Sequence, residues 1–144
     1  MKKLLALILA SILLLSLPLA AFAEEESPAE GEIIEEYVNI KKAGVSLTIA
    51  SNGNTSIIIY CQGIIGTTHI SSTTYLEKQN SYGTWDRVSI NGASQISDGV
   101  SGSYLSRTYT TTVGTGTYRA TSVFTVTRGG VDETITVYSN IVYH

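Results

Sequence analysis

The sequence has little of what builds covalent crosslinks, since its 144 residues include a single cysteine, Cys61. An intrachain disulfide is therefore excluded, although small exported proteins often depend on such bonds. Cys61 ends the apolar stretch 57–61, where a small hydrophobic residue packs well. We expect Cys61 to be buried, with its thiol reduced and inaccessible to reagents until the protein unfolds.

Groups that commonly act in catalysis are also scarce, because His69 is the one histidine apart from His144. Cys61 and His69 could form a nucleophilic pair, but the glycine and threonines around His69 predict an exposed loop. Glu77 and Asp86 could face each other across a hairpin, where surface charges are the simpler interpretation. No cysteine or histidine spacing suits zinc. The sequence predicts a protein that is not an enzyme and has no cofactor or metal, with a small hydrolase as a minor alternative.

Positive charge is sparse, with 9 Lys and Arg against 12 Asp and Glu and a formal net charge of −3. No basic stripe is present to neutralise phosphates, which argues against nucleic acid as a partner. Most of the acidic residues crowd one short segment: Glu24, Glu25, Glu26, Glu30, Glu32, Glu35 and Glu36. Because a like-charged block with proline and glycine stays solvated, we interpret residues 24–42 as an acidic flexible spacer.

A long apolar run occurs at residues 4–15, preceded by Lys2 and Lys3 and followed by Pro18. This order, closed by small residues, is typical of a secretory signal peptide. The cleavage-site residues would be Ala21, Ala23 and Glu24. We therefore predict a signal peptide over residues 1–23 and a protein that is secreted, extracellular or associated with the cell surface.

Two other interpretations of this N-terminal segment fit less well. A transmembrane anchor needs about 20 apolar residues, and this run is shorter, with Pro18 near its end. A lipoprotein would have a cysteine at the position that Glu24 occupies. We expect no stable membrane anchor after cleavage.

From Val45 onward the apolar residues alternate with polar ones, as in Val45, Leu47 and Ile49. Alternation with a period of two is the pattern of strands with one buried face. Turn residues separate seven predicted strands, at 45–50, 55–64, 72–79, 84–90, 103–113, 117–127 and 131–139. Short strands at this spacing predict an all-β, antiparallel β-sandwich over residues 43–144, with a long loop at 91–102.

One feature is immunoglobulin-like. Tyr118 begins the sixth predicted strand, two residues before Ala120. In sandwiches with a tyrosine corner, a tyrosine at this place bonds back to the preceding turn, and a cysteine two residues later pairs with the second strand. Cys61 lies on the second predicted strand, but Ala120 replaces its partner. We expect the corner without the bridge.

Several short runs resemble a family of small exported proteins from clostridial-type Gram-positive bacteria, a domain of unknown function. The matching residues span most of 45–139 and are Cys61 before Gly63, Tyr75-Leu76-Glu77-Lys78 with Gly83 and Trp85, Gly116-Thr117-Tyr118-Arg119, and Glu133-Thr134-Ile135-Thr136-Val137-Tyr138-Ser139. The resemblance implies a β-sandwich behind a signal peptide. It implies no activity, because the family has none established. The bulky residues 57–60 depart from its pattern.

Nine tyrosines and Trp85 could supply a binding surface. Exposed aromatic rings stack on sugars or anchor protein contacts, although the simpler interpretation is that Trp85, Tyr109 and Tyr118 fill the core. The predicted binding patch is Ile58, Tyr60 and Tyr75, on one outer face of the second and third strands.

Arg107 interrupts the apolar face of its predicted strand. It would be either a charge that protects an edge strand from aggregation or a contact residue. Together these features predict a secreted, non-catalytic β-sandwich of the surface-interaction or adhesion type, whose partner is an unknown extracellular protein or glycan. A carbohydrate-binding module that uses exposed aromatics is the alternative.

Overall fold

The computed structural model describes residues 37–144, so the predicted signal peptide and most of the predicted spacer lie outside the described residues. The nine strands are β1 (Ile40–Ile49), β2 (Asn54–Gly63), β3 (Thr67–Gln79), β4 (Trp85–Val88), β5 (Ile96–Ser101), β6 (Tyr104–Thr112), β7 (Thr117–Arg128), β8 (Val131–Tyr138) and β9 (Val142–Tyr143). Within this part of the chain there is no helix of the length and apolar character needed to cross a membrane.

The strands form two antiparallel sheets. Sheet A has the order β1-β2-β6, and sheet B follows the path β4-β3-β7-β8, with β5 paired to β3 and β9 paired to β7. The chain thus changes sheet between β2 and β3. Sheet A matches strands A, B and E of an immunoglobulin domain, and the path of sheet B matches C′, C, F and G. The predicted fold class, an immunoglobulin-like antiparallel β-sandwich, is confirmed.

Alternate residues of both sheets meet in one hydrophobic core, as the period of two predicts. The apolar side chains buried completely are Ile57, Ile59, Cys61, Ile70, Leu76, Leu105, Ala120, Phe124 and Val126. Cys61 on β2 and Ala120 on β7 therefore both belong to the core, at the strands that carry the disulfide of antibody domains. Burial of apolar side chains, rather than a crosslink, stabilises this sandwich.

The tyrosine corner is present. The Tyr118 hydroxyl donates a hydrogen bond of 2.9 Å to the carbonyl of Gly114, in the turn before β7. Tyr118 itself is buried to 3% exposure. The bond to the preceding turn expected from the sequence is confirmed.

The structure has nine strands where seven were predicted, because β5 and β9 are additional, and the starts of β1 and β3 also differ. The predicted loop at 91–102 contains β5, and the predicted loop around His69 belongs to β3, which begins at Thr67. These two segments pair with each other, since His69 lies opposite Ser101 and Thr73 opposite Ser97. Ser97, Asp98 and Gly99 gave the β5 segment low β propensity, and pairing with β3 overrides that preference. At the N-terminal end, β1 begins at Ile40, inside the range interpreted as spacer.

Asparagine side chains form hydrogen bonds with backbone groups on both edges of sheet A. Asn140 accepts from the Leu47 amide and donates to the Leu47 carbonyl, each at 3.3 Å, on the β1 edge. Asn91 donates at 2.6 Å to the carbonyl of Thr110 on the β6 edge. An edge strand whose backbone groups are already bonded is a poor template for pairing with another chain.

Glu133 of β8 holds the beginning of β1. Its carboxylate accepts hydrogen bonds from the amides of Val38, Asn39 and Ile40 at 2.8, 2.6 and 3.1 Å. Asn39 and Ile40 are buried. The carboxylate therefore fastens the point at which the chain enters the sandwich.

Candidate binding site

The residues predicted as one binding patch lie on two opposite faces. Ile58 and Tyr60 point out of sheet A, because their neighbours Ile57 and Ile59 are buried. Tyr75 belongs to β3 of sheet B and points outward, because its neighbours Thr74 and Leu76 are buried. The three side chains do not form one surface, because the chain changes sheet between the two strands.

The outer face of sheet A offers a ligand few apolar or charged groups to contact around Ile58. Ile58 is 44% exposed, but its cross-strand neighbours are Ser46 and Thr108. The Tyr60 ring lies against Gly44, where there is no space for a Cβ atom. Ile58 is thus a single apolar side chain among hydroxyl groups, which is ordinary protein surface. The same face also carries Tyr104 of β6, which is 57% exposed and lies opposite Gln62.

The outer face of sheet B carries a group of aromatic and charged side chains that we call the arginine-aromatic cluster. Its members are Tyr75 and Glu77 of β3, Trp85 and Arg87 of β4, Arg119 and Thr121 of β7, and Tyr138 of β8. The strand register brings them together. Glu77 lies opposite both Arg87 and Arg119, and Thr121 lies opposite both Tyr75 and Tyr138.

Arg119 is the centre of the cluster. Its guanidinium carbon is 4.4 Å from the Trp85 ring centre and 4.7 Å from that of Tyr138, within the range of cation-π attraction. Its Nε donates to Glu77 at 2.8 Å. Thr121 donates to the same Glu77 oxygen at 2.7 Å. These contacts hold Arg119 and both aromatic rings in one arrangement.

A second stacked pair lies beside the first. The Arg87 guanidinium carbon is 3.7 Å from the Tyr75 ring centre. Tyr138 is 55% exposed, whereas the side chains of Arg119 and Glu77 are only 25% and 14% exposed. The cluster therefore presents partly exposed aromatic rings supported by polar contacts, with two arginines against one glutamate.

The rest of this face has a different character. Thr125 and Thr134 share a hydrogen bond of 3.0 Å, and Thr127 donates to Asp132 at 2.6 Å. Cross-strand hydroxyl pairs of this kind stabilise a sheet surface. Because the groups bond to each other, the aromatic end of the face is the stronger candidate for binding.

The sequence patterns did not indicate the arginines of the cluster, and Trp85, predicted to fill the core, faces outward beside Arg119. Alternation along β3 could have put Tyr75 and Glu77 on one face, and the hairpin that follows could have placed Arg87 beside them. The contribution of Arg119 had no such local signal, because it lies 42 residues from Glu77 along the chain.

The residues considered for catalysis are not brought together. Cys61 points into the core from sheet A, while His69 is exposed on β3 of sheet B. Glu77 forms a salt bridge with Arg119. Asp86 lies opposite Lys78, the residue after Glu77, so Glu77 and Asp86 project from opposite faces of the sheet. Residues 37–144 contain no group of three metal-ligating side chains.

The thiol of Cys61 is expected to react only after the protein unfolds. Cys61 has no exposed surface, and burial raises the pKa of its thiol to about 12. The thiolate is the reactive form. Labelling with a maleimide should therefore be negligible in buffer at neutral pH and complete in denaturant. Rapid labelling of the native protein would show that β2 opens locally.

Arg107 joins the two sheets. It lies on β6, an edge strand of sheet A, as its predicted role requires. Its Nε donates at 2.9 Å to Asp98 of β5 in sheet B, and the Tyr109 hydroxyl lies 3.4 Å from the same Asp98 oxygen. The contact that Arg107 makes is thus within the sandwich.

Asp98 should make stability depend on pH. The hydrogen bond from Arg107 is the main cause that lowers the pKa of Asp98 below its ordinary value of 3.8. A lowered pKa gives stabilisation that is complete above the ordinary value and is lost as the pH falls through the folded value. We expect Asp98→Asn to be less stable than the wild type at pH 6, with the difference disappearing in acid. Urea denaturation at several pH values would measure this, and a constant difference would contradict it.

No family model matches the chain, and neither does any curated protein. Among solved structures, the solution structure of R. palustris CsgH is similar with a TM-score of 0.37 and 12% sequence identity, covering 68% of this chain and 91% of that one. A likeness of this size carries no functional inference. The resemblance to small exported clostridial-type proteins stays a prediction.

Proposed function

We propose that this protein is a secreted, non-catalytic β-sandwich that binds an extracellular protein through the arginine-aromatic cluster. The observation that carries the proposal is the stacking of Arg119 between Trp85 and Tyr138 on the outer face of sheet B. Tryptophan, tyrosine and arginine are the residues most enriched at the energetic centres of protein interfaces.

The cluster is also ordered before a partner arrives. All its members lie on paired strands, and Glu77 fixes Arg119 and Thr121 through hydrogen bonds. Binding then costs little further side-chain entropy, which leaves more of the contact energy for affinity. The excess of arginine over glutamate suits a partner surface with carboxylate or carbonyl oxygens next to apolar groups.

A glycan is the second candidate ligand. The exposure of Tyr138 at 55% and of Tyr143 at 80%, at the same end of sheet B, favours it. Against it, Arg87 and Arg119 already stack on the rings that a sugar would need, at 3.7 to 4.7 Å from the ring centres. A protein partner can use the edges of those rings and the arginines together.

The test compares Tyr138→Ala with Tyr104→Ala. The two tyrosines are 55% and 57% exposed, but Tyr104 lies on β6 of sheet A, away from the cluster. Immobilised wild type and variants are incubated with surface and culture proteins of the producing organism, and retained proteins are quantified by mass spectrometry. Purified candidates are then titrated.

We expect Tyr138→Ala to lower the affinity for a true partner by at least about tenfold, as truncation of a central interface residue does. Tyr104→Ala should leave that affinity unchanged. Equal losses in both variants would contradict the proposed surface. Saturable binding on a glycan array that is lost in Tyr138→Ala and Tyr75→Ala would favour the carbohydrate-binding alternative instead.

A further inference from the structure

A groove lies at the end of the sandwich where β2 turns into β3, opposite to the end that carries Trp85. It encloses about 490 Å³ and is lined by Lys41, Gln62, Ile64, Ile65, Ser103 and Arg128. These residues come from both sheets and from the turns that join their strands. The groove is thus separate from the arginine-aromatic cluster.

Two cations and two apolar side chains give the groove its chemistry. Arg128 uses its Nε to bond the Ile65 carbonyl at 3.0 Å. The salt bridges within residues 37–144 belong to Arg107 and Arg119, so Lys41 and Arg128 have no carboxylate partner in that range. Ile65 is 95% exposed. A fitting ligand has carboxylates next to apolar side chains.

We propose that this groove is an acidic-peptide site that binds residues 24–36 of the same chain. The segment holds seven of the chain's twelve acidic residues. Near its end it has Ile33 and Ile34, between Glu32 and Glu35. Carboxylates flanking a pair of isoleucines complement cations flanking Ile64 and Ile65.

The path of the chain brings the segment to the groove. Residue 36 is followed within five positions by Lys41, which lines the groove. The Asn39 carbonyl accepts a hydrogen bond of 3.0 Å from the amide of Ile64, so the chain enters the sandwich at the groove wall. A ligand tethered this closely has a high effective concentration, and weak contacts suffice to occupy the site.

Paramagnetic relaxation measures this contact in the exported full chain. A nitroxide is attached to Ser27→Cys, and Cys61 stays unlabelled because it is buried. We expect broadening of the amides of Ile64, Ile65 and Ser103. We expect none at Tyr82, beyond the far end of the 13-residue strand β3.

Charge reversal separates binding from mere proximity of the label. Lys41→Glu with Arg128→Glu should reduce the broadening in the groove by about threefold or more, and so should 0.5 M salt, because exposed charge pairs are screened at that concentration. The matched control is Lys78→Glu, a reversal near the opposite end, which should leave the broadening unchanged. Broadening that persists in the double variant and in high salt overturns the proposal.

A mixture of isotope-labelled chain and unlabelled, spin-labelled chain distinguishes the source of the peptide. Binding within one chain predicts no broadening of the isotope-labelled partner. Broadening between chains would overturn the assignment to the same molecule and would show exchange of the acidic segment between copies.

Discussion

Glu133→Ala is expected to lower the free energy of unfolding by about 3 kcal/mol, because it removes the acceptor for three amides at the start of β1. A hydrogen bond to a charged group contributes about 1.5 to 3 kcal/mol to stability, and at the exposed Val38 water can replace the carboxylate. Because Asn39 and Ile40 are buried, their amides cannot both replace the lost bond with a hydrogen bond to water. Chemical denaturation would show a lower midpoint with little change in slope.

The adjacent residue supplies the control. Asp132 is exposed, and within residues 37–144 it bonds only to the Thr127 hydroxyl, at 2.6 Å. Asp132→Asn should change stability by less than about 0.5 kcal/mol, the usual range for surface substitutions. Glu133→Gln keeps one acceptor oxygen and should fall between the two. Equal midpoints for Glu133→Ala and Asp132→Asn would show that β1 does not depend on this carboxylate.

The sequence predicts strands well where one face is buried. Alternation in β2 and β7 is set by the core, and each of those strands lies within two residues of its predicted bounds. β5 was missed because Ser97, Asp98 and Gly99 are poor strand formers, and only the neighbouring β3 makes them pair. Local pattern thus indicates burial, whereas pairing at a polar sheet edge depends on the neighbouring strand.

The site was harder to predict than the fold because it depends on which strands become neighbours. Alternation shows that Tyr60 and Tyr75 both face outward, but it does not show that β2 and β3 belong to different sheets. The contact of Arg119 with Glu77 requires β7 to pair with β3. Such pairings across long stretches of chain are decided by the fold as a whole.

The surface of the sandwich also limits where a partner can bind. Asn140 and Asn91 already bond to the backbone of β1 and β6, at the two edges of sheet A. The outer face of sheet A has hydroxyl side chains around Ile58, namely Ser46 and Thr108. The aromatic end of sheet B is therefore the surface best suited to an interface. The affinity of such an interface would depend on how firmly Arg119 is held in place.

Arg119→Ala is expected to lower the free energy of unfolding by about 3 kcal/mol, since removing one partner of a largely buried ion pair costs about 3 to 5 kcal/mol when burial is complete. Glu77 is 14% exposed, and of its donors within residues 37–144 it would keep Thr121, while Trp85 and Tyr138 would lose the cation between them. Partial exposure places the effect at the lower end of that range.

A double-mutant cycle separates the ion pair from the stacking. With Glu77→Gln in place, Arg119→Ala should cost about 1 to 2 kcal/mol less than in the wild type, because no charge is then left unpaired. Arg87→Ala is the control, since Arg87 stacks on Tyr75 at 3.7 Å and forms no salt bridge within residues 37–144; it should cost about 1 kcal/mol. Costs that add without coupling would show that Glu77 does not hold Arg119, and the cluster would then lack the order on which the proposed binding surface depends.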